Sequence, residues 1–289
     1  MEKEEKAVAE NEKMVYSKCT KNTIKKWEDL DITDDYIFSK FMRNPSTCKE
    51  VLEILLPFQV GKIKYVEYQK VINVAYDTKG VRLDVYVKDT DKTYNVEMQV
   101  GTAHNLAKRV RYYEACIDFE EMEKGEKYTK LHDSYVIFIC TFDPFGKGLP
   151  CYSFKNMCQE DSSLPLNDGR YAIFFNAKAY FKEKDSVRKN FLAFVCGEMI
   201  HDSKIEVFAK QINDIKTNKE WRIDYMNLAL KFSDMHDLGY EEGILEGEKE
   251  GAHKKAVETA KNLLKMGLPV EQIVQGTGLT EEEVDQIKN

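Results

Sequence analysis

The sequence contains no Cys-x-x-Cys pair, and its seven cysteines are an odd number, so neither a zinc ribbon nor a closed disulfide framework is expected. Long apolar runs are missing too: none approaches the roughly 18 residues of a membrane span. The opening residues alternate Glu, Lys, Ala and Asn without the apolar centre of a secretion signal. These absences make the cytosol the expected compartment and leave no reason to expect a membrane partner. The five histidines are scattered at 104, 132, 201, 236 and 253, and neither a Gly-x-Ser-x-Gly elbow nor a Walker-type phosphate loop occurs. Serine-nucleophile and P-loop chemistry are therefore unsupported. Positive charge is also in short supply. The net charge is −7, and the stretch from Gly239 onward, with eleven acidic against six basic residues, accounts for most of it. A near-neutral body argues against tight non-specific binding to nucleic acid, because that affinity scales with the phosphates neutralised.

What is present suffices for one substantial core with appendages: 289 residues, 43% hydrophobic, with 16 Tyr and 15 Phe. A charged fraction of 32% and a mean hydropathy of −0.53 add long polar segments. The most informative stretch is Val81 to Val100, VRLDVYVKDTDKTYNVEMQV. Val81, Leu83, Val85 and Val87 alternate with Arg82, Asp84 and Tyr86, and Tyr94, Val96, Met98 and Val100 alternate with Asn95, Glu97 and Gln99. The spacing predicts a β-hairpin with one apolar and one wet face. If Asp89 to Lys92 form the loop, Lys88 faces Thr93 and Asp84 faces Glu97. Opposed carboxylates about 4.5–5.5 Å apart at Cβ repel each other. A hard divalent cation between them, such as Mg²⁺ or Mn²⁺, removes the repulsion and leaves coordination positions for water and phosphate oxygens. Gln99 lies one pleat beyond Glu97 on the same face, and its amide offers both donors and an acceptor; on pattern alone such a face is more often structural than catalytic.

Asp84 followed by Glu97-Met98-Gln99 on the next strand resembles the D…(D/E)-x-K signature of the PD-(D/E)XK phosphodiesterase superfamily, in the ExQ form of its recombination-promoting nuclease (Rpn) and transposase family. Asp35-Tyr36-Ile37-Phe38 with Phe41, Arg109-x-x-Tyr112-Tyr113, Gly125-x-x-Tyr128 and the run from Tyr135 to Gly146 resemble the family's other blocks, in order. The likeness covers Trp27 to Asn176 and extends weakly into the tail. Two departures stand out: no proline precedes Asp84, and Gln99 replaces the usual lysine. The resemblance implies an α/β fold, a restriction-endonuclease-like core with a central mixed sheet flanked by helices, followed by a helical C-terminal extension. It implies a metal-dependent DNA endonuclease, linked to recombination or transposition of mobile DNA. Asp84, Glu97 and the Met98 carbonyl would ligate the metal. An additional acid often comes from a helix before the sheet, for which Glu50 and Glu53 are candidates; both also read as solvated helix positions.

Along the chain, residues 1–26 read as a polar lead-in and 27–176 as the nuclease-like core. Within the core, Ile37, Phe38, Phe41 and Met42 share a helix face, and Asn44-Pro45 is expected to stop that helix. Thr47 and Glu50 have capping-box spacing for a second helix. Ile63–Tyr68 and Val71–Ala75 read as separate strands, and Asp77–Gly80 as a turn. After the hairpin comes a helix carrying Leu106, Val110, Tyr113 and Ile117, with Arg109 and Tyr112 as neighbours on its surface. Arg109 could clamp a phosphate with its planar fork or pair with Glu97 to hold the helix on the sheet. Ser134–Phe142 reads as a strand buried on both faces, Gly146–Asp168 as loop, and Tyr171–Phe175 as a further strand. Residues 177–238 read as a helical extension with Phe191, Leu192, Val195 and Met199 periodic; its cluster of Lys178, Lys182, Lys184, Arg188 and Lys189 is either a backbone-contact surface or a solvated face.

Residues 239–252, with glycine at 239, 243, 247 and 251, read as a semi-flexible linker that becomes helical on association. Residues 253–289 look like a helix-turn-helix module. Its acidic last helix favours packing or self-association, and hence a homo-oligomer built through the tail, over reading DNA. Two alternatives to an active nuclease remain: a weak or inactive nuclease-fold protein serving as a nucleic-acid-binding or protein-interaction module, and a hydrolase of smaller phosphate esters.

Overall fold

The computed structural model describes residues 25–72, 80–101 and 105–288. The expected turn at Asp77–Gly80 and the end of the expected strand Val71–Ala75 fall largely outside them, as does most of the polar lead-in. Two compact units divide the chain, Met1–Ile223 and Asp224–Asn289.

The first unit is built on a six-stranded mixed sheet. Its strands are β1 (Tyr65–Ile72), β2 (Val81–Lys88), β3 (Lys92–Gln99), β4 (Asp133–Cys140), β5 (Cys151–Phe154) and β6 (Arg170–Asn176), in the order β1-β2-β3-β4-β6-β5. β1, β2 and β3 form an antiparallel meander, β3, β4 and β6 run parallel, and β5 returns antiparallel along β6. The two strands expected before the hairpin are one. Gln69, where they were divided, has a left-handed φ of 49° and drops out of the β1–β2 ladder opposite Asp84. β5 lies inside the stretch expected to be loop. Of its four residues only Tyr152 is buried, so an edge position left almost no periodicity to read.

A parallel pair needs a long crossover, usually a helix. Between β3 and β4 that crossover is α3, with the first two helices, α1 (Asp35–Met42) and α2 (Pro45–Leu55), preceding the sheet and α3 spanning Leu106–Glu121. Leu106, Val110, Tyr113 and Ile117 are buried against Val136, Phe138 and Phe174. This cover overturns the wet face expected for the hairpin: Thr93, Asn95 and Glu97 are buried as fully as Tyr94 and Val96. β3 is thus enclosed on both sides, as strands in parallel arrangements are.

α1 buries Ile37, Phe38, Phe41 and Met42, each side chain contributing about 1.5–3 kcal/mol. Asn44-Pro45, expected to end α1, instead starts α2. The Asn44 side chain accepts from Ser46 N at 2.9 Å and Pro45 takes the first helical position, where its missing N–H is no loss. α4 (Ser186–Val195) and α5 (Ser203–Thr217) follow the sheet. Phe191, Leu192 and Val195 are buried as predicted, but Met199 lies beyond the helix end at Gly197 (φ 82°) and is 86% exposed.

The expected linker is instead part of α6, a 47-residue helix from Lys219 to Lys265. Among the described residues, and apart from the helix's own neighbouring backbone, nothing comes within 4 Å of a Cβ placed on Gly239, Gly243, Gly247 or Gly251. In the second unit α7 (Val270–Thr277) and α8 (Glu281–Lys288) pack through Ile273, Leu279 and Val284 onto Ala260. Thr280 and Glu283 form a capping box, with Thr280 N donating to Glu283 Oε2 at 2.8 Å and Glu283 N donating to Thr280 Oγ1 at 3.3 Å. Among the described residues, no helix is long and apolar enough to cross a membrane.

Candidate active site

The hairpin pairs Lys88 with Thr93 and Val85 with Val96, as its spacing predicts, and the ladder ends there. One step further the carboxylates take the place of main-chain bonds. Asp84 N donates to Glu97 Oε1 at 3.1 Å, and Met98 N donates to Asp84 Oδ2 at 3.3 Å. Asp84 therefore sits where both its neighbouring ladders are interrupted, beside Gln69 on one side and beside Glu97 on the other. Strict alternation gives way there: Val81 and Leu83 join the same apolar cluster as Tyr86 and α3.

Because α3 begins soon after β3 ends, its first turn lies over the carboxyl end of that strand and brings Arg109 to the acids. Arg109 Nη2 is 3.3 Å from Glu97 Oε2, and Nη1 donates to Gln99 Oε1 at 2.6 Å. Nε and Nη2 donate to the Tyr113 hydroxyl at 3.2 and 2.9 Å. Four of the five guanidinium N–H donors are thus engaged, and one on Nη1 is left. Of the two roles the sequence left open for Arg109, pairing with Glu97 is the one the resting structure displays. Asn95 Nδ2 completes the shell around Glu97, donating to Oε1 at 3.0 Å.

Asp84, Glu97, Gln99, Arg109 and Tyr113 line a cavity of about 470 Å³ together with Asp35, Arg82, Met98 and Val100. Asp84, Glu97 and Gln99 come together as predicted. Tyr112 does not; it is 38% exposed and its place in the lining is taken by Tyr113. The helical period explains the difference, since i+4 rather than i+3 from Arg109 points at the strand end here. Glu50 and Glu53 are also elsewhere: Glu50 lies 3.6 Å from Lys204, and Glu53 accepts from Val60 N at 3.1 Å. The acid supplied by a helix is Asp35, first residue of α1. Its position at the head of the Asp35-Tyr36-Ile37-Phe38 block was the available signal; Arg82 offered none beyond adjacency to Leu83 and Asp84.

Burial pushes the Asp84 carboxyl up to about 8, with the negative charges of Glu97 and then Asp35 adding to the shift. Glu97 is raised by burial as well, opposed by its bonds from Asp84 N and Asn95 and by the charge of Arg109. Three acids share the cavity with two arginines, so the excess becomes negative once all three acids are ionised.

A hard divalent cation fits this donor set, which is composed of carboxylate, amide and carbonyl oxygens with no sulfur or imidazole. Among the described residues no three His, Cys, Asp or Glu side chains gather as a ready-made metal cage. Two protein carboxylates with water and substrate oxygens completing the shell is the arrangement Mg²⁺ favours.

Gln99 has a partner in the structure, Arg109, that bears on its substitution. From the superfamily's commoner residue alone, Gln99→Lys should be tolerated. With Gln99 Oε1 accepting from Arg109 at 2.6 Å, a lysine there would set two cations against each other and release the guanidinium. Gln99→Lys is expected to lower any divalent-dependent cleavage at least about tenfold, whereas Gln99→Glu should retain the Arg109 contact; paired cleavage assays of the two variants check the order.

A family model described as PD-(D/E)XK nuclease family transposase matches residues 33–191, and one described as Rpn/YhgA-like nuclease family, C-terminal HTH domain, matches residues 253–289. No curated protein and no solved structure matches the chain significantly.

Proposed function

Since the chain belongs to the PD-(D/E)XK nuclease family of transposases, with a C-terminal helix-turn-helix domain of the Rpn/YhgA-like kind, we propose that it is a divalent-metal-dependent endonuclease that hydrolyses phosphodiester bonds in DNA. The observation that carries this reading is the pair of buried acids, Asp84 and Glu97, held by each other's neighbouring backbone and lining one cavity with Asp35 and Gln99. Asp84 and Glu97, with the Met98 carbonyl, would hold the ion, and Asp35 adds negative charge at the same cavity. A cation bound there would polarise the phosphate and promote ionisation of a water. Arg109 would offer its remaining Nη1 donor to a phosphate oxygen as negative charge develops. Gln99 holds Arg109 through its carbonyl, and its NH₂ can donate to the attacking water. Recombination or transposition of mobile DNA, in the cytosol, is the biological setting this chemistry would serve.

The purified protein should nick supercoiled plasmid when Mg²⁺ or Mn²⁺ is supplied and stop when a chelator is added. One observation favours a second reading. Arg109 already neutralises Glu97, and burial favours protonated Asp84, so the cavity can balance its charge without an ion, as an inactive binding module would. Absence of nicking with every divalent ion tried selects that module.

For the second unit we propose self-association through α6, whose Met226, Leu230, Leu238 and Leu245 are each more than half exposed. A chain ending at residue 223, which removes these side chains with the whole second unit, should lose oligomeric mass in sedimentation while keeping divalent-dependent cleavage. An unchanged mass removes the tail from assembly.

A further inference from the structure

The parallel strands β3, β4 and β6 end in register, Gln99 beside Cys140 beside Asn176. Their carboxyl ends therefore share one sheet edge, the position where open α/β sheets bind ligands. The acids occupy the β3 end of that edge. The β6 end lies two strand spacings away, about 10 Å. From it the chain turns directly into a short 3₁₀ segment, Ala177–Lys182.

This segment is chemically unlike the core it leaves. Ala177 and Ala179 face inward and are buried, while Lys178, Lys182 and Lys184 are exposed and Phe181 is 62% exposed. Lys182 Nζ donates to Gly148 O at 2.8 Å, which fixes the segment to the loop after β4, where Lys147 is exposed. The loop itself is held on Asp143, which accepts from Phe145 N, Gly146 N, Gly148 N and the Tyr152 hydroxyl. Glu183, the acid inside the lysine run, is turned away and paired with Arg188. Tyr180, by contrast, is occupied, donating to Glu198 Oε1 at 3.4 Å. What remains is a firmly seated ledge with exposed positive charge around the Phe181 ring, which Tyr180 meets edge-on at 6.0 Å and Lys182 Nζ overlies at 5.8 Å while most of it stays open to solvent.

We propose that this ledge binds an unpaired segment of the DNA strand that crosses the cavity, with Phe181 stacking on a base and Lys147, Lys178 and Lys184 meeting the flanking phosphates. The proposal rests on the nuclease reading for the identity of the strand. The choice of single over double strand comes from Phe181: a duplex offers the ledge only phosphates, whereas an exposed ring gains from the π face of an unstacked base. The offset along the sheet edge places that base a few nucleotides from the scissile phosphate. Preference for substrates with single-stranded tails or gaps follows.

The test is fluorescence anisotropy, in chelator, of a labelled duplex with a single-stranded overhang beside the same duplex with blunt ends. Phe181→Ala is expected to weaken binding of the overhang substrate roughly tenfold and leave the blunt duplex unchanged, with Phe181→Trp restoring affinity. Lys178→Ala and Lys184→Ala should each flatten the salt dependence of overhang binding. Equal losses on both duplexes, no loss with Phe181→Ala, or no oligonucleotide binding by the parent protein would overturn the ledge. Hydrolysis of bis(p-nitrophenyl) phosphate with Mn²⁺ provides the separate readout of the acids, because a diester that small does not span to Phe181. A parent protein that binds overhangs through Phe181 and neither hydrolyses the diester nor nicks plasmid with any divalent ion refutes the nuclease reading and keeps the ledge.

Discussion

Asp84→Asn should lose at least about 100-fold in divalent-dependent nicking and, in chelator at pH 8, should melt at a higher temperature than the parent. The two effects have one origin. Asp84 is isosteric with Asn, so the variant keeps the volume and an acceptor for Met98 N while deleting the charge that burial, Glu97 and Asp35 all disfavour. The pH profile gives the sign. Below the ordinary carboxylate range both folded and unfolded chains carry the Asp84 proton and its contribution to stability is constant. As pH rises toward about 8 the unfolded chain has released that proton and the folded chain still holds it, so this group's contribution falls, levelling off above about 8. Metal-free melting should therefore drop between pH 5 and 8 in the parent and drop less in Asp84→Asn. A variant that melts lower than the parent at pH 8 would show Asp84 to be a stabilising structural ion, and nicking at parental rate would remove it from the reaction.

Arg109→Leu is expected to be the opposite kind of lesion. Glu97, whose side chain is 3% exposed, would lose its cationic partner, and Gln99 and Tyr113 would lose their common donor. Breaking a fully buried ion pair costs about 3–5 kcal/mol. Arg109 is 34% exposed, so solvent screening brings the expected loss to about 1–3 kcal/mol. Added Mn²⁺ should return part of that stability by supplying a cation to the same carboxylates, although nicking stays depressed about 100-fold because the phosphate has no guanidinium to meet. Arg109→Lys should rescue charge and not activity, since a single ammonium cannot bridge Glu97, Gln99 and Tyr113 at once. Denaturant titrations with and without Mn²⁺ separate these expectations; stability indifferent to Mn²⁺ in Arg109→Leu would argue that no cation binds there.

The acids of the site were legible because a hairpin's register is local. The two residues at each side of its loop fix the pairing of Asp84 with Glu97 by counting. What surrounded them was not legible, because it comes from the crossover. Burial of Asn95 and Glu97 depends on α3 lying back over β3, and only the arrangement of helix and sheet decides that Tyr113 rather than Tyr112 faces Arg109. Asp35 is another product of tertiary placement: Glu50 and Glu53 were equally plausible helix acids, and nothing in spacing says which helix end meets the cavity. Weak signals explain the rest. Asn44-Pro45 carries the same residues whether it stops one helix or starts the next, and the four residues of β5 were too few, on too exposed an edge, to show alternation.

Every lining residue of the cavity except Asp35 falls between Arg82 and Tyr113. Sequence separation controls the entropy of bringing groups together. The acids, the amide and the guanidinium thus belong to a single β-hairpin-plus-helix segment that closes only short loops, and they can meet before the long-range partners β4 and β6 arrive. During synthesis the chain would hold this constellation together, two acids against two arginines, while much of the sheet has yet to form. Closure of α1 onto β2 would be the event that adds Asp35 and finishes the cavity, so the last acid to join arrives through the packing of a helix whose apolar anchors, such as Phe41 on Phe208, lie far from any chemistry.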